Sequence, residues 1–274
     1  MQRIVVLNPK GGSGKTTIAI NLASYYAFRK QTPLLLDLDP QGSSMRWARK
    51  RHPNQGPVHA VSPFSRDNRT TRSFQLRAPT GTTHVVVDTA AAVEAHEMPD
   101  LTRAADKILV PVLPSDIDIH ACSRCIQSLL LVAKIRREDN RLGVIANRVR
   151  RTTLMYQSLI RFLHTLGVPI VATIRDSQNY VRAAEQGLGI HEMKTWVARE
   201  DVAQWEPLIT WLDTPAGTPV PTLSPETADA APPAAVGSDP GSAEDCAAGA
   251  AECAAEPAED YVAEEDSPTE TVSG

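Results

Sequence analysis

From Thr214 to Gly274 the chain has no Lys and no Arg, yet this stretch holds 13 of its 32 carboxylates. All 28 basic residues therefore face 19 acidic ones in the first 213 residues, a net +9 joined to a net -13. The overall balance of -4 hides this division, which points to a polyanionic partner for the basic part. Long apolar runs are also missing, and none reaches the roughly 18 residues of a membrane span. No charged and apolar leader precedes the first strand-like run, so a secreted product is not expected. Four cysteines, two of them in the acidic stretch, do not make a disulfide framework. A cytoplasmic protein is the expectation.

Aromatic residues are scarce at 5%, and the stretch after Asp213 has only Tyr261. It also carries nine of the 21 prolines and is rich in Ala, Ser, Thr and Glu. Such a composition cannot bury enough apolar surface to offset backbone entropy of roughly 1–2 kcal/mol per residue. Two regions follow: a folded domain over 1–213 and a disordered acidic tail over 214–274. With -13 opposite +9, two roles are open to the tail: it folds back and competes with a polyanion for the basic body, or it serves as a solubilising or cargo-contact segment.

The body repeats short unbroken runs of β-branched residues and Leu: Ile4–Leu7, Leu34–Leu36, Val85–Val87, Ile108–Val110, Val144–Ala146 and Ile170–Ala172. Continuous rather than alternating apolar runs mark parallel strands covered on both faces. Helical spacing lies between them at Thr16–Arg29, Ile119–Lys134, Thr153–Leu166 and Asn179–Gln186. A last helix is expected over Arg199–Leu212, with Val202, Trp205, Ile209 and Leu212 packing on the core. Strand alternating with helix predicts an α/β fold, a doubly wound and mainly parallel sheet with helices on both faces. The stretch Arg66–Pro79 reads as a helix or loop insertion.

After the first run comes Asn8-Pro9-Lys10-Gly11-Gly12-Ser13-Gly14-Lys15-Thr16-Thr17, opening straight into a helix. Glycines let backbone N–H groups turn in around phosphates, and the helix N-terminus adds partial positive charge. Lys15 would reach the β- and γ-phosphates, and the Thr16 hydroxyl would hold Mg²⁺. Pro9 stands where the strict P-loop has its first glycine, and Lys10 is a second lysine ahead of the glycine pair. A second cation beside a triphosphate would neutralise charge developing in phosphoryl transfer. The run His84–Thr89 is an apolar strand ending in Asp88, the Walker B pattern for a Mg²⁺ carboxylate. Asp37-Leu38-Asp39-Pro40-Gln41-Gly42 ends the second run, where strand C-termini enter the ligand crevice of a doubly wound sheet.

Lys10–Thr16 resembles the deviant Walker A motif of the ParA/MinD ATPases, and the resemblance extends over roughly residues 1–193. It implies an ATP-bound homodimer in which Lys10 crosses to the partner's nucleotide. Gly11, Gly12, Ser13, Gly14, Lys15, Thr16 and Thr17 would cradle ATP. Asp39 would orient the attacking water, Asn147 would read the adenine base, and Arg175 with Asp176 would flank it. Ala90-Ala91-Ala92 follow Asp88-Thr89 where the family commonly has Pro. The resemblance also implies non-specific binding to nucleoid DNA through late basic residues, with Arg151, Arg161 and Arg182 as the best-matched candidates. No helix-turn-helix extension precedes the first strand, so operator-specific binding is not expected. Glu259–Asp266 is acidic and lacks an apolar stripe, so the membrane attachment of MinD-type proteins is not expected either.

Arg46-Trp47 and Asn179-Tyr180-Val181-Arg182 resemble orphan ParA-type proteins that position protein assemblies, above all those that position carboxysomes. The partner implied is a small ParB-like or McdB-like adaptor that stimulates hydrolysis. Plasmid or chromosome partition is the alternative within the family. Outside it stands an ATP-dependent P-loop transferase of small-molecule biosynthesis. Cys122 and Cys125, with His120 nearby, form C-x-x-C without a second ligand pair and read as helix-packing or surface thiols.

Overall fold

The computed structural model describes residues 1–64, 78–215 and 217–218. The expected insertion over 66–79 falls largely outside them, as do the tail beyond 218 and Cys246 and Cys253. Among the described residues the strands are β1 (Gln2–Val6), β2 (Pro33–Asp37), β3 (His59–Val61), β4 (His84–Asp88), β5 (Lys107–Val112), β6 (Leu142–Val149) and β7 (Ile170–Arg175). They form one parallel sheet in the order β3-β2-β4-β1-β5-β6-β7. The helices are α1 (Lys15–Phe28), α2 (Ser43–Arg49), α3 (Met98–Thr102), α4 (Asp116–Leu131), α5 (Leu154–Thr165), α6 (Asn179–Glu185), α7 (Thr195–Ala203) and α8 (Glu206–Asp213).

The strands are apolar throughout because successive side chains point to opposite faces and both faces are covered. Val5, Leu7, Val87 and Val110 join a core with Ile126 of α4 and Leu159 of α5. Ile4, Val6 and Leu109 join a second core with Ile18 and Leu22 of α1, Trp205, and Trp211 of α8. All six apolar runs are strands. The short β3, which pairs with β2 at the sheet edge, has no long apolar run to announce it.

One expectation is corrected. The helix expected over Arg199–Leu212 is two, α7 and α8, broken at Gln204–Trp205. Pro207 stands in the first turn of α8. In a continuous helix its ring would clash with the carbonyl of residue 203, and it has no N–H to give. The apolar spacing still packs as expected: Trp205 and Leu212 are buried, with Val202 and Ile209 against the same core.

The order places the site. From β1 the chain goes to β2 and β3 on one side, returns as β4 beside β1, then crosses to β5 on β1's other side. The crevice at the C-terminal end of β1 is thus the switch point where such sheets bind ligands.

Candidate functional site

The loop from Asn8 to Gly14 joins β1 to α1 at this switch point, and three segments hold it. Buried Asn8 donates through Nδ2 to the Pro111 carbonyl (2.7 Å), and its Oδ1 accepts from the Lys10 N–H (2.9 Å). The Ala92 N–H donates to the Pro9 carbonyl (2.7 Å), so the triple alanine after Asp88-Thr89 leans on the loop. From the end of β6, buried Asn147 donates through Nδ2 to the Ser13 carbonyl (2.9 Å). Gly14 has φ +95°, and a β-carbon there would lie 2.1 Å from that same Nδ2. Glycine is required on both counts. The Ser13 hydroxyl is buried without a hydrogen-bond partner among the described residues.

Lys15 begins α1 and is buried, with Nζ donating to the Lys10 carbonyl (3.1 Å). Burial pulls its pKa down, against the opposing pull of Asp88 and Asp39. Thr17 accepts at its carbonyl from Asn21 Nδ2 (2.8 Å), stiffening the first turns of α1.

Asp88 closes β4 and is fully buried. Burial pushes its pKa up to about 6, offset in part by hydrogen bonds from Ser44 and Thr16. Its Oδ2 accepts from Ser44 Oγ (2.6 Å), whereas Oδ1 has no hydrogen-bond partner among the described residues. An unpartnered buried carboxylate oxygen beside the Thr16 hydroxyl fits a hard divalent cation such as Mg²⁺. Cations of this size prefer oxygen donors, and Thr16 and Asp88 supply them.

Asp37, directly opposite Asp88 across the β2–β4 pair, is buried and serves the backbone. Its two oxygens accept from the N–H groups of Asp39 (3.0 Å) and Met45 (3.0 Å). Asp39 in turn accepts at Oδ1 from the Gln41 N–H (2.9 Å). The Asp37–Ser44 turn is thus wired to itself and, through Ser44, to Asp88.

Lys10 forms an ion pair with Asp118 of α4, Nζ to Oδ2 at 2.6 Å. Ser115 caps α4 and also bonds that carboxylate. Beside this pair a cavity of about 360 Å³ opens between the loop after β4 and α4, lined by Lys10, Val93, Met98, Ile117 and Arg124.

Asn147 and Arg175, expected together around a base, are held by different partners. Asn147 packs on the phosphate loop. The Arg175 guanidinium binds Asp201 of α7 through Nε (2.6 Å) and also Glu200. Asp176 accepts from Arg148 (3.2 Å) and Arg150 (3.3 Å) at the rim. Arg148 has φ +50°, a strained conformation for a bulky residue and a mark of functional loops. Arg151, Arg161 and Arg182 are exposed, the first in the turn before α5 and the others on α5 and α6. Asn8, Asp37 and Ser44 were not foreseen in these roles. The serine pair after Asp-Pro-Gln-Gly was the available signal.

Cys122 and Cys125 are buried on α4 in the sheet core. Burial pushes the Cys122 thiol up to about 12, and that of Cys125 higher still. Among the described residues no group of three or more His, Cys, Asp and Glu side chains is placed to hold a metal.

A phosphate loop at the switch point, a buried Walker B carboxylate and a second lysine define a P-loop nucleotide-binding protein. The CobQ/CobB/MinD/ParA nucleotide binding domain family matches residues 4–190, and the chain belongs to that family. It is 32% identical over 217 residues to maintenance of carboxysome distribution protein A of Gloeobacter kilaueensis, covering 77% of this chain and 93% of that protein. The protein of the same name from Halothiobacillus neapolitanus is 28% identical, covering 69% and 87%. In fold the chain resembles an ATP complex of a Cyanothece McdA variant, with TM-score 0.56, 18% identity and coverage of 76% and 96%. No helix among the described residues is long and apolar enough to cross a membrane.

Proposed function

We propose that this chain is a ParA-type ATPase that dimerises on ATP, binds nucleoid DNA non-specifically and positions carboxysomes in the bacterial cytoplasm. The observation that carries the reading is the similarity to a carboxysome distribution protein along 93% of that protein's length. The second lysine of the phosphate loop supports it.

In this reading, residues 1–213 are the ATPase domain and residues 214–274 an acidic tail. Lys15 and the N–H groups of Gly11–Thr17 bind the phosphates. Bound through Thr16 and Asp88, Mg²⁺ would neutralise phosphate charge. Asp39 orients the attacking water, and its own turn already holds its carboxylate. Lys10 leaves Asp118 to reach the nucleotide of a second copy. Asn147 contacts the base while bracing the loop, and Arg175 and Asp176 shape that rim. Arg151, Arg161 and Arg182 contact DNA phosphates, and a small ParB-like or McdB-like adaptor stimulates hydrolysis and release.

The test is binding to non-specific duplex DNA with ATP, with ADP and without nucleotide across a salt series. Retention only with ATP, lost as salt rises and lost in Lys10→Ala, is the expected result. Binding indifferent to nucleotide, or none, would remove the DNA-based positioning reading.

A further inference from the structure

Two helices leave the nucleotide site from different points and converge on one short segment. Helix α1 starts at the phosphate loop, and α2 starts one residue before Ser44, the partner of Asp88. Both meet Gly187–Glu192, which follows α6, the helix of Arg182, after its capping residue Gln186.

On the α1 side, Asn21 Oδ1 accepts from the Ile190 N–H (2.6 Å). A β-carbon on Gly189 would lie 1.6 Å from Ser24 Oγ, so backbone sits directly on the helix. On the α2 side, Trp47 Nε1 donates to the Leu188 carbonyl (3.0 Å). Arg51, just past the end of α2, donates to the Gly187 carbonyl (3.0 Å) and to both oxygens of Glu192 (2.7 and 2.9 Å). Only 7% of each side chain in this pair is exposed, and the guanidinium lies 4.9 Å from the Trp47 ring centroid. Gly187 has φ +68°, and a β-carbon there would meet the Lys50 backbone at 2.6 Å. Glu192 also accepts from the Gly189 N–H (2.8 Å), closing the segment on itself.

Helices move as near-rigid bodies, and packed contacts switch between discrete arrangements rather than deform. Ser44 holds Asp88 Oδ2, so a cation taken up by that carboxylate would compete with the side chain in the first turn of α2. The segment gripped by both helices would absorb any shift of one against the other. We propose that Gly187–Glu192 is the coupling joint of this protein, with Trp47, Arg51 and Glu192 as positioning residues that pass occupancy of the nucleotide site to α6. The inference requires nucleotide binding only and holds whether or not α6 contacts DNA.

Hydrogen exchange of the full chain, with and without ATP and Mg²⁺, tests it. The proteins compared are wild type, Trp47→Phe, which removes the donor to Leu188, and Glu192→Gln, which removes the charge facing Arg51. In wild type, nucleotide slows exchange over residues 179–192 by about fivefold or more, the lower range of a coupling between sites. In both variants that ratio falls towards one, while protection over residues 10–17 and affinity for a fluorescent ATP analogue stay within about twofold, well below that coupling. A merely structural role would raise exchange at 179–192 equally with and without nucleotide and preserve the ratio, which overturns the proposal. An unresponsive segment in wild type overturns it too. Absence of protection at 10–17 would show instead that the nucleotide premise fails.

Discussion

The side-chain amide of Asn147 fills the space that a β-carbon on Gly14 would need, 2.1 Å from where that carbon would stand. A residue expected to read a base is therefore also a strut of the phosphate loop, through its bond to the Ser13 carbonyl. The Asn147→Ala variant leaves that buried carbonyl short of a partner, a loss of about 1–3 kcal/mol. Affinity should fall for every adenine and guanine nucleoside triphosphate alike, because the loop itself is loosened. A pure base-reading role predicts a loss for ATP only, and fluorescent nucleotide titration separates the two.

Asp88 makes the nucleotide-free protein sensitive to pH. Its folded pKa, about 6, stands above the ordinary 3.8 because burial disfavours the charged form. Between these values the folded state holds more protons than the unfolded one, so stability falls as pH rises through that window. The deficit is full above about pH 6 and amounts to about 3 kcal/mol at most. Asp88→Asn should therefore melt higher than wild type at pH 7.5 without nucleotide, with the gap closing towards pH 4. The same variant should lose stabilisation by ATP with Mg²⁺. Calorimetry with and without ligand checks both signs.

The Lys10–Asp118 pair competes with any crossing of Lys10 to another copy. Lys10 is about one-third exposed, so the pair is screened and amounts to no more than about 1 kcal/mol. Asp118→Asn should shift ATP-dependent self-association to protein concentrations lower by up to about thirtyfold, the equivalent of that energy counted once for each of the two copies. Analytical ultracentrifugation measures the shift. An unmoved midpoint would mean that Lys10 is not drawn from this partner.

Cys122 and Cys125 should behave as core residues. Thiols buried and pushed up to about 12 or beyond hold little thiolate at neutral pH. In a Cys246→Ser/Cys253→Ser background, both should react with a thiol reagent at the rate of unfolding and at once in denaturant. Fast native reaction would put α4 at the surface instead.

Much of this protein follows from its sequence alone. The six apolar runs had to be strands of a covered parallel sheet, because only burial on both faces tolerates unbroken β-branched residues. Gly11–Thr17 between a strand and a helix determined a phosphate loop, since local backbone chemistry suffices for it. Other features needed the third dimension. Pro207 divided the last helix where spacing alone joined it. Ser44 reached Asp88, 44 residues away, and Asp37 turned to the backbone of its own loop. Arg175 found its partners in Glu200 and Asp201, 25 and 26 residues further along the chain. Only the fold brought Trp47, Arg51 and Glu192 together, across 141 positions for the ion pair. Periodicity and motif record what a residue can do with its neighbours in the chain. Which side chains share one buried space is decided by packing, and packing is settled between residues that the sequence keeps far apart.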